Sequence, residues 1–180
     1  MPIITNMEIF GNTLTGDIIL EPTETCLCPK CQKGVLRVRA RVRRHLKKQD
    51  TGEKEWYQIP LGQCDSDKCR RMCRMLPDSM APFKHYEEST ISKVLDGEIT
   101  KEKKDVPSPQ TMRRWAVWLV TNKNQIEAVI RSCGYKVFDY GEEYLFSAAP
   151  KLEELRREAC NWLKYVLRLV YNSGSRLRAE

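Results

Sequence analysis

Two clusters of cysteines constrain this chain more than any other feature of its sequence. Six of the eight cysteines fall in two short segments: Cys26, Cys28 and Cys31, then Cys64, Cys69 and Cys73. The Cys28-Pro-Lys-Cys31 spacing is that of a zinc knuckle, in which two thiolates on one tight turn bind one tetrahedral ion. Two such clusters about thirty residues apart, with strand-like sequence between them, predict a zinc ribbon.

The spacings also rank the possible zinc ligands. We predict that Zn²⁺ is bound by Cys28, Cys31, Cys64 and Cys69. Cys73 is the leading substitute for one of these four, and Cys26 comes last because a single residue separates it from Cys28. Cys133 and Cys160 lie in apolar helical segments, where a cysteine usually serves as a small buried side chain.

Disulfides and an iron–sulfur cluster are the rival interpretations of these cysteines. The first residues, Met1-Pro-Ile-Ile-Thr-Asn, lack the basic and apolar regions of a secretory signal, which predicts a cytoplasmic protein. Closely spaced cysteine pairs in a reducing compartment bind metal more often than they form disulfides. Thiolates also bind iron–sulfur clusters, but nothing nearby indicates electron transfer. No apolar run approaches the about 20 residues that span a bilayer, so no membrane partner is expected.

The basic residues are concentrated in one segment. The chain has a formal net charge of +7, and between Cys26 and Lys48 it has nine Lys or Arg residues and no Asp or Glu. Such a segment favours a polyanionic partner, most commonly nucleic acid. The strict alternation of Leu36–Arg43 predicts a strand with arginines on one face. The predicted nucleic-acid contacts of this segment are Arg37, Arg39, Arg41, Arg43, Arg44 and Lys47.

An alternative is that this hairpin neutralises its own charge. A turn at Asp50-Thr-Gly52 and a returning strand at Trp56–Pro60 would place acidic residues beside the arginines. Asp50, Glu53 and Glu55 are the candidates, because opposite charges on paired strands attract one another.

The second half of the chain is predicted to be helical. The pattern indicates a short helix over 88–95, a helix from Ser108 to about Leu119, another over 124–133 that ends at Gly134, and the longest over 150–171. Ser108 is a suitable N-cap and Pro109 suits the first helical position. A capped helix that presents Gln110, Arg113 and Arg114 after a shorter helix is typical of a helix-turn-helix recognition element.

Together these patterns predict an α+β fold with two domains. Residues 1–86 form a zinc-ribbon β domain with antiparallel hairpins and an N-terminal arm. Residues 87–180 form a helical, helix-turn-helix-like domain.

Several short strings resemble a family of uncharacterised bacterial zinc-ribbon proteins that are encoded beside transposases and integrases on mobile elements. The resemblance covers about residues 26–120 and rests on Cys28-Pro-Lys-Cys31, Leu76-Pro-Asp78, Pro82-Phe-Lys-His-Tyr86 and the Thr111–Trp115 segment. The chain departs from the family in the spacing of Cys64 and Cys69 and in having Cys73 where the family has histidine. The resemblance implies nucleic-acid binding in a mobile-element context, with a transposase or integrase as a further partner.

These observations predict a zinc-dependent, DNA-binding accessory or regulatory protein whose partner is double-stranded DNA. The alternative is a zinc-stapled protein-interaction module, which an exposed apolar stripe on residues 151–170 would favour. We do not expect an enzyme or a small-molecule substrate. The acidic residues are scattered rather than convergent, and His45 and His85 are isolated in the sequence from any plausible nucleophile.

Overall fold

The computed structural model describes residues 2–11, 14–48, 52–99 and 107–178. The chain divides into two compact units, Met1–Glu88 (the β unit) and Ser89–Glu180 (the helical unit). The sequence prediction placed its boundary two residues earlier, between 86 and 87. Most of the predicted turn at 50–52 and of the polar connection at 98–107 lies outside the described residues. No helix in the described part of the chain combines the length and apolar character that crossing a membrane requires.

The β unit is one curled, mixed sheet of six strands. The strands are β1 (Pro2–Ile4), β2 (Met7–Gly11), β3 (Ile18–Pro22), β4 (Leu36–Lys47), β5 (Lys54–Cys64) and β6 (Met72–Leu76). The order is β1-β6-β5-β3-β2, and β4 pairs with β5 in addition. Strand β5 is central: β4 runs antiparallel along its length, whereas β6 and β3 pair with short parts of it.

The predicted strand of alternating arginines is present but is longer and less regular than expected. β4 extends to Lys47, and its register against β5 shifts between Val38 and Ala40. A β-bulge of this kind interrupts the alternation of side chains. Consistent with that, Ala40 is exposed although the alternation placed it on the apolar face with Leu36, which is buried.

Two separate apolar clusters stabilise the β unit. One contains Ile3, Leu36 and Met75 together with four buried cysteines. The other contains Leu20, Leu46, Tyr57, Ile59, Leu76 and Met80. The cysteine-rich cluster is small, so the end of the sheet that carries it has little apolar material of its own.

The helical unit contains α2 (Pro109–Val137), α3 (Glu142–Phe146), α4 (Lys151–Glu158) and α5 (Trp162–Asn172), after α1 (Glu88–Leu95), which begins at the boundary. The predicted bounds of α1 are confirmed. The predicted start of α2 is also confirmed, because the Ser108 hydroxyl accepts a hydrogen bond from Thr111 N. The α+β class predicted from the sequence is therefore confirmed.

The prediction of two helices over 108–133 was wrong, because α2 is continuous. The residues between the two predicted helices include Asn122, which is buried. Its side-chain amide donates to Trp118 O and exchanges hydrogen bonds with the backbone of Arg178. Gly134 does not end the helix either. The ring of Tyr144 packs so closely that a Cβ at position 134 would overlap it, so glycine is required for packing.

The predicted single helix over 150–171 was also wrong. The backbone is extended at Ala159, which separates α4 from α5, and α2 is the longest helix. Residues on both sides of the break bind the same carboxylate: Arg156 and the Trp162 indole N–H both donate to Asp96. This contact to a residue far away in the sequence explains why helical periodicity alone did not predict the break.

The apolar stripe of these two helices is covered. Its buried members are Leu152, Trp162, Leu163, Val166, Leu167 and Val170. Helices α4 and α5 pack on α2 within the helical unit. At the start of α4, the Glu127 carboxylate accepts from Lys151 N and Leu152 N, at 3.0 and 2.9 Å, and so satisfies two of the free N–H groups there.

Candidate functional site

Two loops meet at one end of the β4–β5 hairpin, where Leu36 pairs with Cys64. In the first loop, Gln32 N donates to Cys28 O at 2.8 Å, which closes a tight turn. The second loop, which follows β5, is tied to the first: Val35 N donates to a carboxylate oxygen of Asp65 at 2.8 Å. The hairpin and these backbone bonds bring both cysteine pairs to the same place.

Four sulfur atoms are gathered between these loops. The Sγ atoms of Cys28 and Cys69 are 3.7 Å apart, as are those of Cys31 and Cys64. All four Sγ atoms lie within 4.8 Å of one another, and all eight cysteines of the chain are free. Four Zn–S bonds of about 2.3 Å would give a tetrahedron with S–S edges of about 3.8 Å. The arrangement therefore fits a single tetrahedral metal ion, and these are the four cysteines that the sequence analysis selected.

The backbone around the sulfurs favours negative charge on one of them. Gly34 N donates to Cys31 Sγ at 3.4 Å, and this bond with that of Lys33 N lowers the pKa of Cys31 to about 6. Burial and the neighbouring sulfurs act in the opposite direction on Cys64, raising its pKa to about 12. Four thiolates packed this closely repel one another, so a cation at their centre is needed for all four to be deprotonated.

The two substitute ligands considered from the sequence lie outside this group. Cys73 is on β6 opposite Gly62 and is fully buried, and burial raises its pKa. Cys26 is also buried, and its thiol donates to Thr5 Oγ1 at 3.1 Å. Both cysteines belong to the apolar cluster behind the site.

Gly34 allows the two loops to approach. A Cβ at this position would overlap Cys64 Sγ and would lie 2.9 Å from the Cβ of Ser66. Any larger residue must therefore push the second loop away from the first. This glycine was not among the predicted site residues, although its place shortly after the Cys-Pro-x-Cys turn was a usable signal.

The basic residues of β4 differ in what they contact. Arg37 is exposed and its Nε lies 3.8 Å from the Asp65 carboxylate. Arg39 is exposed, and its side chain has no hydrogen bond or ion pair with any described residue. Arg41 forms an ion pair with Glu21 of β3. Of the basic residues of β4, these three lie nearest in the sequence to the four-cysteine site.

Farther along β4, the basic side chains are bound within the β unit. Arg43 Nη2 lies 3.0 Å from the carboxylate of Asp17, and the guanidinium lies over the Trp56 ring. The contact with Asp17 lowers the pKa of that carboxyl. Arg44 donates to the carbonyl oxygens of Ala81 and Lys84.

The predicted source of neutralising acids was only partly right. Asp50 lies outside the described residues, and Glu55 binds Lys48 rather than an arginine. The acids that face the arginines of β4 are Asp17, directly before β3, Glu21 within β3, and Asp65, which lies 3.8 Å from Arg37. Lys47 contacts Tyr86, with Nζ 5.1 Å from the ring centroid.

The other predicted contacts lie in the helical unit. Gln110, Arg113 and Arg114 are exposed in the first two turns of α2. The predicted nucleic-acid contacts therefore lie in two different units: those of β4 in the β unit and those of α2 in the helical unit.

The two histidines are not isolated in space. Their rings stack, with centroids 4.5 Å apart and planes at 11°. Burial lowers the pKa of His45, and the nearby His85 and cationic side chains act in the same direction. Sequence analysis missed this pair because the partners come from β4 and from the loop after β6.

Comparison with known families gives one result. Residues 28–115 match a family described as a domain of unknown function (DUF6431). The matched segment includes all four clustered cysteines and the start of α2. Neither the curated proteins nor the solved structures contain a significant match to the chain.

Proposed function

We propose that this protein binds double-stranded DNA through β4, that a zinc ion stabilises the end of the hairpin that carries the site, and that it acts as an accessory or regulatory protein without catalytic activity. The observation that carries the proposal is that exposed arginines follow the four-cysteine centre on the same strand. Arg39 has no described partner and Arg37 has only a distant one. Exposed cations held on a rigid strand suit contacts to phosphates, which position a protein on DNA.

Zinc is the ion we propose for the four thiols. Four cysteine sulfurs in a closed tetrahedral set are typical of structural zinc sites. The paired loops and hairpin are the arrangement expected of a zinc ribbon, so metal binding and the geometry of β4 would be coupled. The resemblance to proteins encoded beside transposases and integrases supports a mobile-element setting for the same proposal.

The helical unit would supply the second contact. The exposed first turns of α2, capped by Ser108, present Gln110, Arg113 and Arg114 as a recognition helix of a helix-turn-helix would. In this arrangement the arginines of β4 bind the backbone, and α2 reads base edges.

The test is the salt dependence of duplex binding by the full chain, measured by fluorescence anisotropy. Each lost phosphate contact should flatten the slope of log affinity against log salt by about 0.9. The double variant Arg37→Ala/Arg39→Ala should therefore flatten it by about 1.8 and weaken all sequences alike. Arg157→Ala is the matched control, because Arg157 is exposed on α4 and has no described ion-pair partner.

Arg113→Ala tests the base contact separately. It should weaken a preferred site, selected from random duplexes, by about 1–3 kcal/mol more than it weakens random DNA. A duplex affinity that ignores both salt and the Arg37/Arg39 pair would refute DNA binding by β4.

The protein-interaction alternative has less support. It depended on an exposed apolar stripe over residues 151–170, and the large apolar members of that stripe are buried in the helical unit, apart from the half-buried Leu155. Exposed apolar residues do occur on α2, where Val117, Val120 and Val137 are 57%, 74% and 69% exposed and Tyr135 is 39% exposed. A few exposed apolar side chains are common on a protein surface and by themselves indicate no particular partner.

A further inference from the structure

A groove in the β unit combines aromatic and cationic side chains, and the proposed duplex contact does not use this combination. Its volume is about 720 Å³, and it lies between β4, β5, β6 and the loop after β6. Four rings line it: His45, Trp56, Phe83 and His85. Three arginines line it as well, Arg43, Arg44 and Arg74, and none of its lining residues is acidic.

The positive charge of this groove is incompletely neutralised. Arg43 is paired with Asp17, but Arg44 binds only the uncharged carbonyl oxygens of Ala81 and Lys84. Both of these bonds come from Nη2, so among the described residues Nε and Nη1 of Arg44 have no acceptor. Arg74 is exposed and has no described partner. Burial and Arg74 lower the pKa of Arg44 to about 10, as expected for two cations with no anion between them.

One ring is held outward at the rim of the groove. Phe83 is 66% exposed and has φ of 64°, a conformation that is a rare outlier for a bulky residue. Arg44 binds the carbonyls of Ala81 and Lys84 on either side of it, and so fixes the loop that presents the ring. Strained residues of this kind persist where the surrounding structure imposes them, often at binding sites.

We infer that this groove binds an unpaired nucleotide of a single-stranded nucleic acid, with its base against the exposed ring of Phe83 and its phosphate at Arg44 and Arg74. Base stacking on aromatic side chains beside a cationic track is how proteins bind single strands without sequence preference. The groove is lined by Val42–His45 of β4, which directly follow in the sequence the arginines proposed to contact DNA. The inference rests on the proposed function for the class of ligand and adds a second surface to it.

The test compares three probes with the full chain and zinc bound: oligothymidylate, an abasic strand of the same length, and a duplex. Because stacking contributes about 1–3 kcal/mol per base, oligothymidylate should bind about 10-fold more tightly than the abasic strand. Phe83→Gly removes the ring, and glycine suits a positive φ. The variant should therefore bind oligothymidylate and the abasic strand with equal affinity, without unfolding of the β unit. Equal affinities of the unmodified protein for the two single strands would overturn the inference.

The phosphate contact has its own variant. Arg74→Gln should flatten the salt slope for single strands by about 0.7, whereas Lys136→Gln, which removes an exposed charge from the helical unit, should leave it unchanged. Equal effects of the two changes would refute a phosphate at Arg74. If thymidine monophosphate binds the protein as tightly as the oligonucleotide does, the groove binds free nucleotides, and its assignment to a single-stranded nucleic acid is refuted.

The two proposals fail separately. In one outcome, the Arg37/Arg39 variant loses duplex binding, but Phe83→Gly leaves the ratio of affinities for oligothymidylate and the abasic strand unchanged. This outcome supports the proposed function and refutes nucleotide binding in the groove. The reverse pattern supports the groove and refutes duplex binding by β4.

Discussion

The β unit and the helical unit are stabilised in different ways. In the apolar cluster beside the four-cysteine site, four of the seven buried residues are cysteines, and two of these, Cys28 and Cys64, belong to the site. The helical unit instead buries Trp162, Leu163, Val166 and Leu167, each at most 1% exposed. Large apolar side chains stabilise a fold by themselves, whereas thiols gathered at close range do so only around a cation. We therefore expect the stability of the β unit to depend on metal in addition to its second apolar cluster, and that of the helical unit to depend on packing alone.

Removing the metal should produce the largest difference between the units. Structural zinc contributes about 10–16 kcal/mol in zinc-finger peptides at neutral pH, comparable to the whole stability of a domain of about 5–15 kcal/mol. A strong chelator should abolish amide-exchange protection in Leu36–Lys47 and Lys54–Cys64 while protection persists in Pro109–Val137 and Trp162–Asn172. Hydrogen exchange resolved by region measures both at once.

Cys64→Ser should behave like chelation, and Cys160→Ser, which changes an exposed cysteine outside the centre, is the matched control. Simultaneous loss of protection in both units would show that the helices depend on the metal as well. A zinc content unaffected by Cys64→Ser would refute the four-cysteine site.

A core truncation should produce the opposite pattern. Trp162→Ala removes a fully buried ring and should destabilise the helical unit by about 3–5 kcal/mol. Trp162→Phe retains most of the packing but loses the indole N–H that donates to Asp96 at 2.8 Å, so its effect should be smaller, about 1–3 kcal/mol. Urea unfolding followed by far-UV circular dichroism measures both variants. Zinc affinity should stay unchanged, and its loss would contradict the independence of the units.

Two glycines allow a matched test with the same chemical change in each unit. Gly34→Ala should weaken zinc binding about 10-fold or more, because the new methyl overlaps Cys64 Sγ and overpacking typically costs about 1–3 kcal/mol. Gly134→Ala should destabilise only the helical unit by a similar amount, because its methyl overlaps the Tyr144 ring. Competition with a metal indicator and urea unfolding distinguish the two effects. Equal zinc affinity in both variants would contradict the close contact of the two loops.

The pH dependence of stability should give the smallest difference. Both histidines are in the β unit, and burial lowers the pKa of His45. The unfolded chain then takes up a proton more readily than the folded one. The β unit should therefore lose stability as pH falls from about 7 through the unfolded pKa of about 6.5, and the helical unit should not.

His45→Phe keeps an aromatic ring but cannot titrate, so it separates this effect from acid release of zinc. The slope of unfolding free energy against pH in the variant should be smaller than in the unmodified protein. Identical slopes would show that His45 titrates equally in both states.

Local sequence signals predicted the elements that depend on local interactions. The bounds of α1 and the cap at Ser108 could be predicted, because helix signals and capping act over a few residues. The grouping of Cys28, Cys31, Cys64 and Cys69 could be predicted because each pair has a metal-ligand spacing, although the two pairs lie far apart in the sequence. The continuity of α2 and the break between α4 and α5 could not. They depend on Asn122 meeting the backbone of Arg178 and on Asp96 meeting Trp162. Contacts over such separations leave no periodic signal.

The basic strand shows the same limit at the site. Alternation predicted four equivalent arginines on one face, whereas the structure gives each a different environment. A bulge after Val38 and the carboxylates of Asp17 and Glu21, brought in by β3, create this difference. Neither the bulge nor the position of β3 beside β5 follows from residue types alone.

The meeting of the two cysteine loops also sets the order in which the β unit can fold. Cys31 and Cys64 are 33 residues apart, so closing this loop costs about 3 kcal/mol of chain entropy before the metal is fully bound. During synthesis, Cys28 and Cys31 emerge first and can hold an ion with only two of its ligands. The remaining ligands arrive only after β4 and β5 have both left the ribosome. Until Cys69 has been made, the nascent chain therefore carries its arginine-rich strand without the complete set of four cysteines.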